Sequence, residues 1–308
     1  MKQFKSLPDL LTYFHDEKVC REYLVKQRWN GNPVCPHCSN QEKKIYIIEN
    51  GKRYKCSDCK KKFSVTVGTV FEHIRIPLYK IFAAIYIATA HKKGISSCQL
   101  ARDLGITQKS AWLVLHKIRE MLKANNPGLL TGQVQADETF VGGKNKNRHA
   151  DKKVKESQGR SVKDKTPVLG LLSDGRVNTE VIPDTKVSTL KPIIKAMVEE
   201  GSIIVTDEWL GYSGLSENFQ HEVLKHSEDE FVRGGFHTNS IEGFWSLLKR
   251  GIFGIYHSVS TKHLQRYTTE FEYRYNTRHI NDRERFSSTL TRLNGKLTYK
   301  QLTKKRIK

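Results

Sequence analysis

Apolar positions keep helical spacing from Leu78 to Leu122 and change to a two-residue alternation at VQADETFV (134–141). The longest apolar run, IFAAIYIATA at 81–90, is bounded by Lys80 and His91. At about half of a ~20-residue membrane span, it predicts a buried helix rather than an anchor. Helical spacing continues to residue 122 with breaks at Gly94 and Gly105. Within it, SSCQLARDLGITQKSAWLVLHKI (96–118) reads as helix, glycine turn, helix, with Thr107 as the N-cap of the second helix. Such a pair either packs in a core or lays its second helix in a DNA groove, where Gln108, Lys109 and Ser110 would meet bases or phosphates.

Farther on, VQADETFV alternates as a strand with Asp137 in its middle. TPVLGLLSDGR and VNTEVIPD follow as strands joined near Asp174-Gly175, then TLKPIIKAMVEEG as a helix. The apolar strand SIIVTDEW ends in Asp207 and Glu208. Three strands, a helix and a strand is the order of an RNase H-like core, in which the first and fourth strands are parallel neighbours, so Asp137 and Asp207 are expected side by side. Another strand, FQHEVLKHS, precedes a helix at SIEGFWSLLKRGIFG whose first turn holds Glu242, with 34 residues between it and Asp207. An acid there also suits a helix macrodipole. Lys249 lies two turns along the same face. In TKHLQRYTTEFEYRYNTRH, a final amphipathic helix, Phe271 and Tyr275 are expected in the core, and Arg266, Arg274 and Arg278 on DNA or acidic neighbours.

Charge changes the picture. Lys and Arg number 53 against 32 Asp and Glu, a formal +21. That field favours a polyanion, because each neutralised phosphate releases counterions. Nine basic and three acidic residues between Lys144 and Lys165, with Lys144, Lys146 and Arg148 at the start, read as a loop along a phosphate backbone or simply a solvated one. The opening MKQFKSLPDLL has no apolar signal core. A cytoplasmic, nucleoid-associated protein with no membrane partner is expected.

Cysteine spacing adds a metal. Cys35, Cys38, Cys56 and Cys59 form two C-x2-C knuckles separated by 17 residues, with strand-like KKIYIIENGKRYKC and KKFSVTVGTV around the second and a turn at Asn50-Gly51. The spacing predicts a four-sulfur zinc ribbon; two disulfides are the alternative, disfavoured in a reducing compartment. Cys20 and Cys98 fall outside it and are expected in the core. The acids point to a second metal chemistry. Three converging carboxylates repel by roughly 4 kcal/mol per pair at 4 Å and an effective dielectric of 20, a cost that divalent cations remove. Two Mg²⁺ or Mn²⁺ ions suit such hard oxygen ligands.

CPHC with CSDC, FSVTVGT, ADETFVGGK, TDEWLGY, HTNSIEGFWSLLKRGIFG and EFEYRYNTR occur in order over residues 15–280. In these the chain resembles bacterial insertion-sequence transposases of the DDE type that carry an N-terminal zinc ribbon, within the RNase H-like integrase superfamily. The resemblance implies Asp137, Asp207 and Glu242 as the catalytic, magnesium-binding triad, double-stranded DNA as partner through terminal inverted repeats and target DNA, and Mg²⁺-dependent cleavage and 3′-hydroxyl transfer. Lys249 matches a lysine that contacts DNA near the scissile phosphate, with Arg250 beside it. Either Glu or Asn serves as third ligand in the group; Asn239, three residues before Glu242, stands as a supporting ligand. A homodimer or larger synaptic assembly is expected by the same analogy.

The expected class is α/β: an RNase H-like mixed sheet flanked by helices, preceded by a small zinc ribbon and a helix-turn-helix module. The expected divisions are 1–76, 77–130, 131–285 and a basic tail at 286–308, whose last stretch, LTYKQLTKKRIK (297–308), is expected to be loose. Trp209, Tyr212, Trp245 and Tyr256 are either core residues or stacking platforms for frayed bases. A DNA-binding regulator without catalysis and an RNase H-like nuclease are the competing functions.

Overall fold

The computed structural model describes residues 4–38, 44–123, 128–142, 149–155 and 161–304. The chain divides into two compact units, Met1–Leu122 with His279–Lys308, and Lys123–Arg278.

The first unit begins with α1 (Leu7–Tyr13) and α2 (Glu17–Trp29), the latter started by Asp16, whose carboxylate accepts the amides of Lys18 and Val19. A three-stranded antiparallel ribbon follows: β1 (Ile45–Ile48), β2 (Arg53–Cys56) and β3 (Lys62–Phe63). Asn50 and Gly51 both take positive φ in the β1–β2 turn, as a I′ turn requires. The strand expected through FSVTVGTV stops at Phe63. Beyond it Ser64 and Thr66 pair their hydroxyls, and successive turns from Val67 to Ser64 and Thr69 to Thr66 replace ladder bonds.

Helix α3 (Leu78–Ala90) is buried along nearly its whole length, as its uniformly apolar sequence demands. Phe82 meets Phe14 edge-on at 4.7 Å and Phe286 at 5.7 Å. Helices α4 (Ser97–Leu104) and α5 (Gln108–Met121) are separated by Gly105 in the left-handed region, and Thr107 caps α5 through the Ser110 amide at 3.2 Å. Cys20 is fully buried and its thiol pushed up to about 12 by desolvation, but Cys98 is exposed in the first turn of α4, contrary to expectation.

The expected basic tail carries secondary structure, and the part of it expected to be loose includes a short helix. Two helices, Asp282–Leu290 (α9) and Tyr299–Thr303 (α10), are begun by capping boxes at Asn281 and Thr298. Phe286, Leu290, Leu293, Leu297 and Leu302 are buried. Basic residues between them hid this apolar series. Lys117, buried, donates its ammonium to the carbonyls of Val70 and Leu297, tying the returning chain to α5.

The second unit is a five-stranded mixed sheet ordered β6-β5-β4-β7-β8. Its strands are β4 (Gln133–Val141), β5 (Thr166–Ser173), β6 (Arg176–Val181), β7 (Ile203–Asp207) and β8 (Gln220–Leu224). β4, β5 and β6 run antiparallel in turn, while β7 is parallel to β4 and β8 to β7. The β5–β6 hairpin turns at Asp174 and Gly175, both at positive φ. This mixed sheet flanked by helices is compatible with an RNase H-like core. Helix α6 (Val187–Met197) covers one face through Leu190 and Ile194, packed with Val134, Ala136, Leu169, Leu171 and Ile204. Helices α7 (Asn239–Gly251) and α8 (Thr261–Asn276) cover the other, where Ile241, Phe244, Trp245, Leu248 and Phe271 meet Val141, Val168 and Leu172.

Helix α8 also closes the sheet edge. Asn276 bonds both the amide and carbonyl of Val177 at 2.8 Å, Glu272 accepts the Thr179 amide, and Gln265 takes the Thr179 carbonyl and Val181 amide. Polar side chains thus satisfy groups that would otherwise template a further strand. Arg274 pairs in the interior with Glu270, and Arg278 donates to the carbonyls of Gly175 and Tyr275. Arg274 thus meets an acidic neighbour in the interior, Arg278 is exposed beside the β5–β6 turn, and Arg266 is half-buried. Among the described residues no helix is long and apolar enough to cross a membrane.

Candidate functional site

The ribbon cysteines converge. Cys35 and Cys59 sulfurs are 3.6 Å apart, Cys38 and Cys56 3.7 Å, and all four lie within 4.8 Å of one another. Tetrahedral zinc with bonds of about 2.3 Å sets sulfurs about 3.8 Å apart, so the cluster fits a structural zinc ion. The amide of Cys59 leads the contacts that lower the Cys56 thiol to about 7, towards the thiolate a metal needs. Tyr54 and Phe63 pack with these sulfurs, and Trp29 lies edge-on to both rings.

In the second unit Gln135 pairs with Val205 across the parallel β4–β7 ladder. Continuing that register by two residues sets Asp137 beside Asp207. Val134, Ala136 and Ile204 face α6, so by alternation Gln135, Asp137, Val205 and Asp207 face α7. Glu138 points the other way and is buried near Tyr212.

Helix α7, which carries Glu242 in its first turn, is clamped to this face of β4. Trp245 donates its indole N–H to Asp137 Oδ2 at 3.0 Å, and Gln135 Oε1 accepts the Ile241 amide at 3.0 Å. Four helical residues span about 6.0 Å and two strand residues about 6.6 Å, so the bonds form a matched two-point clamp. Gly170, opposite Asp137 on β5, leaves the room this needs: a Cβ there would stand 2.4 Å from the Trp245 ring.

Glu242, exposed in the first turn of α7, accepts the Thr238 hydroxyl at 2.9 Å. Asp207 Oδ1 accepts the Trp209 amide at 3.0 Å. Desolvation first, then the charges of Asp207 and Glu242, raise the Asp137 carboxyl to about 6, against the lowering effects of the Glu138 amide and Trp245. The three acids therefore share one electrostatic site. They are spaced more widely than the cysteines, which among the described residues alone bring three or more possible ligand atoms within 4.8 Å. Three hard oxygen donors, one half-buried and destabilised as an anion by burial first and then by the other two, fit a divalent cation in their chemistry.

The remaining expected residues fall as follows. Asn239 is the exposed first residue of α7, and Lys249 and Arg250 are exposed in its last turn. Gln108 donates to Ser97 Oγ at 2.8 Å, Lys109 sits 4.6 Å from the Tyr299 ring centre, and Ser110 closes the Thr107 cap. Lys144, Lys146 and Arg148 lie outside the described residues.

A family model described as a transposase zinc-ribbon domain matches residues 15–62, and one described as an ISXO2-like transposase domain matches residues 129–276. The chain belongs to the insertion-sequence transposases that carry an N-terminal zinc ribbon. This transposase is 29% identical over 276 residues to an uncharacterized protein in transposable element ISH50 of Halobacterium salinarum, covering 85% of this chain and 91% of that protein. It is 32% identical over 106 residues to an uncharacterized transposase-like protein of Haemophilus influenzae, 34% of this chain and 85% of that protein.

Several parts of the transposase site escaped the sequence. Gln135 gave no local signal, since its partners lie about a hundred positions away. Gly170 did, because a glycine inside a strand marks a close approach. Of the aromatic residues, Tyr212 and Trp245 are buried, Trp209 donates to the Thr185 carbonyl at 3.1 Å, and Tyr256 bonds Glu270 at 2.6 Å. They pack and position rather than stand as open platforms.

Proposed function

We propose that the second unit is a DDE-type strand-cleavage and strand-transfer site. The transposase binds the terminal inverted repeats of its element, cuts there and joins the freed 3′-hydroxyls to target DNA. Asp137, Asp207 and Glu242 would hold two Mg²⁺ or Mn²⁺ ions, which would supply activation of a water or 3′-hydroxyl and stabilisation of the leaving oxygen. One observation carries the reading: the β4–β7 register, continued by two residues, sets Asp137 beside Asp207 on the sheet face where Trp245 of α7 donates to Asp137, and burial first, then the charges of Asp207 and Glu242, raise the Asp137 carboxyl.

Asn239 is placed to support Glu242 from the same helical turn. Lys249 and Arg250 offer exposed cations for phosphates. In the first unit, α4 and α5 form the DNA reader, with Gln108, Lys109 and Ser110 on its leading turn, and the zinc ribbon assists in binding the ends. Lys144, Lys146 and Arg148 are assigned to the DNA backbone on charge alone. The active assembly is a homodimer or larger complex, since two ends must be joined in concert. A purely regulatory DNA-binding role leaves the grouped acids and their clamp without a purpose.

The test uses linear DNA carrying paired element ends, with Mg²⁺, and the variant Asp207→Asn. The variant is expected to bind as the parent does and to cut nothing. Cleavage equal to the parent's overturns the reading, as does a parent preference for RNA/DNA hybrid over repeat-ended DNA.

A further inference from the structure

Helix α7 starts without a cap of its own. Thr238, at its N-cap, makes no side-chain bond to the helix amides and gives its hydroxyl to Glu242. The first turn of any helix leaves amides without intrahelical partners, and an uncapped turn frays. A frayed first turn would release Glu242, which that turn carries.

Gln135 sits where the missing cap should be. It is buried at 6% exposure on β4, two residues before Asp137 and on the same face. Its Oε1 accepts the Ile241 amide at 3.0 Å, while its Nε2 lies 3.2 Å from His237 Nδ1. The amide therefore grips the chain on both sides of the helix start, at residues 237 and 241. Because an amide nitrogen only donates, the pairing has His237 accepting at Nδ1. His237 ends a two-stranded hairpin, Val232–Arg233 with Phe236–His237 (β9 and β10). That hairpin is itself held to β8, where Arg233 bonds Glu222 at 3.0 Å and the Val223 carbonyl at 2.9 Å.

We infer that Gln135 is a positioning residue that caps α7 from the neighbouring strand, with His237 as its orienting partner, and so fixes Glu242 against Asp137 and Asp207. The inference rests on the proposed role of these three acids. The two-ended grip sets which way the side-chain amide faces: with His237 accepting from Nε2, Oε1 is turned to Ile241. Removing His237 leaves the amide free to rotate, and removing Gln135 leaves the helix start uncapped. Outer groups that orient metal ligands typically govern affinity by about 10- to 100-fold.

The experiment measures Mn²⁺ binding to the full chain by titration, together with hydrogen exchange at the Ile241 amide, for Gln135→Met, His237→Ala, His237→Asn and Asp207→Asn. Methionine keeps the length of Gln135 and removes both bonds. Gln135→Met is expected to weaken Mn²⁺ binding about 10- to 100-fold and to speed exchange at Ile241. His237→Ala should move both in the same direction. His237→Asn, whose Oδ1 replaces the Nδ1 acceptor, should restore both towards the parent, a rescue that mere loss of packing would not give. Asp207→Asn separates the two claims: if it binds Mn²⁺ like the parent, the reading of the acids fails. If it loses binding while Gln135→Met and His237→Ala keep parental affinity, the role of Gln135 alone is overturned. Should Gln135→Met not fold, the His237 pair decides, and equal behaviour of His237→Ala and His237→Asn overturns the proposal.

Discussion

Replacing Gly170 by Ala puts a methyl group 2.4 Å from Trp245 Cζ2, 2.6 Å from Cη2 and 2.8 Å from Ile241 Cδ1. Carbon contacts ordinarily sit at about 3.5–4.0 Å, so the underside of α7 must retreat by about 1 Å or more, or the indole must swing away. Overpacking of this kind costs about 1–3 kcal/mol. Losing the indole bond to the Asp137 carboxylate adds about 1.5–3 kcal/mol. At about 2–4 °C per kcal/mol, the summed cost of about 2.5–6 kcal/mol should lower the melting of the second unit by about 5–25 °C. Since α7 also carries Glu242, Mn²⁺ affinity should fall about 10- to 100-fold. Differential scanning calorimetry and Mn²⁺ titration read the two effects. In a Trp245→Leu background the added cost of Gly170→Ala should shrink to below about 1 kcal/mol, because the two nearest clashing atoms are gone and Ile241 Cδ1, the far end of a flexible side chain, can move into the space the ring leaves. A Gly170→Ala protein that melts and binds Mn²⁺ like the parent refutes the clamp.

Cys56→Ser should abolish zinc binding and expose the amides of residues 44–63 to rapid hydrogen exchange, while Mn²⁺ binding by the second unit persists; parent protein purified without chelator yet free of zinc contradicts the ribbon assignment. Burial raises the Glu272 carboxyl from 4.5 to about 7, so the folded state binds more protons than the unfolded one between those values. Stability then falls as pH rises from about 4.5 to about 7 and levels off above, a loss on the order of 3 kcal/mol. Glu272→Gln, measured with chelator present, should flatten that slope; unchanged pH dependence of melting contradicts it.

Much of this arrangement was legible because it is local or topological. Four cysteines at knuckle spacing specify their site without reference to the rest of the chain, and Thr107 announces a helix start. The order of strands around TLKPIIKAMVEEG was enough to bring Asp137 and Asp207 together, since a parallel neighbour needs a crossover helix. What escaped depends on docking. Gln135 and His237 act through partners set by how α7 lies on the sheet, which no periodicity encodes. Trp245 read first as a core residue and second as a base platform, and its bond to Asp137 went unread because an aromatic residue on an amphipathic helix looks the same whether it faces DNA or a carboxylate. The ordered C-terminal segment was overlooked for a different reason: its leucines are interleaved with Arg292, Lys296 and Lys300, and the charge masked the apolar spacing.

The most direct test of the central claim is anomalous diffraction from crystals grown with Mn²⁺. The account predicts manganese peaks bounded by the carboxylates of Asp137, Asp207 and Glu242, and loss of those peaks in Asp207→Asn. Manganese bound elsewhere, with these three side chains left without metal at saturating concentration, would contradict it.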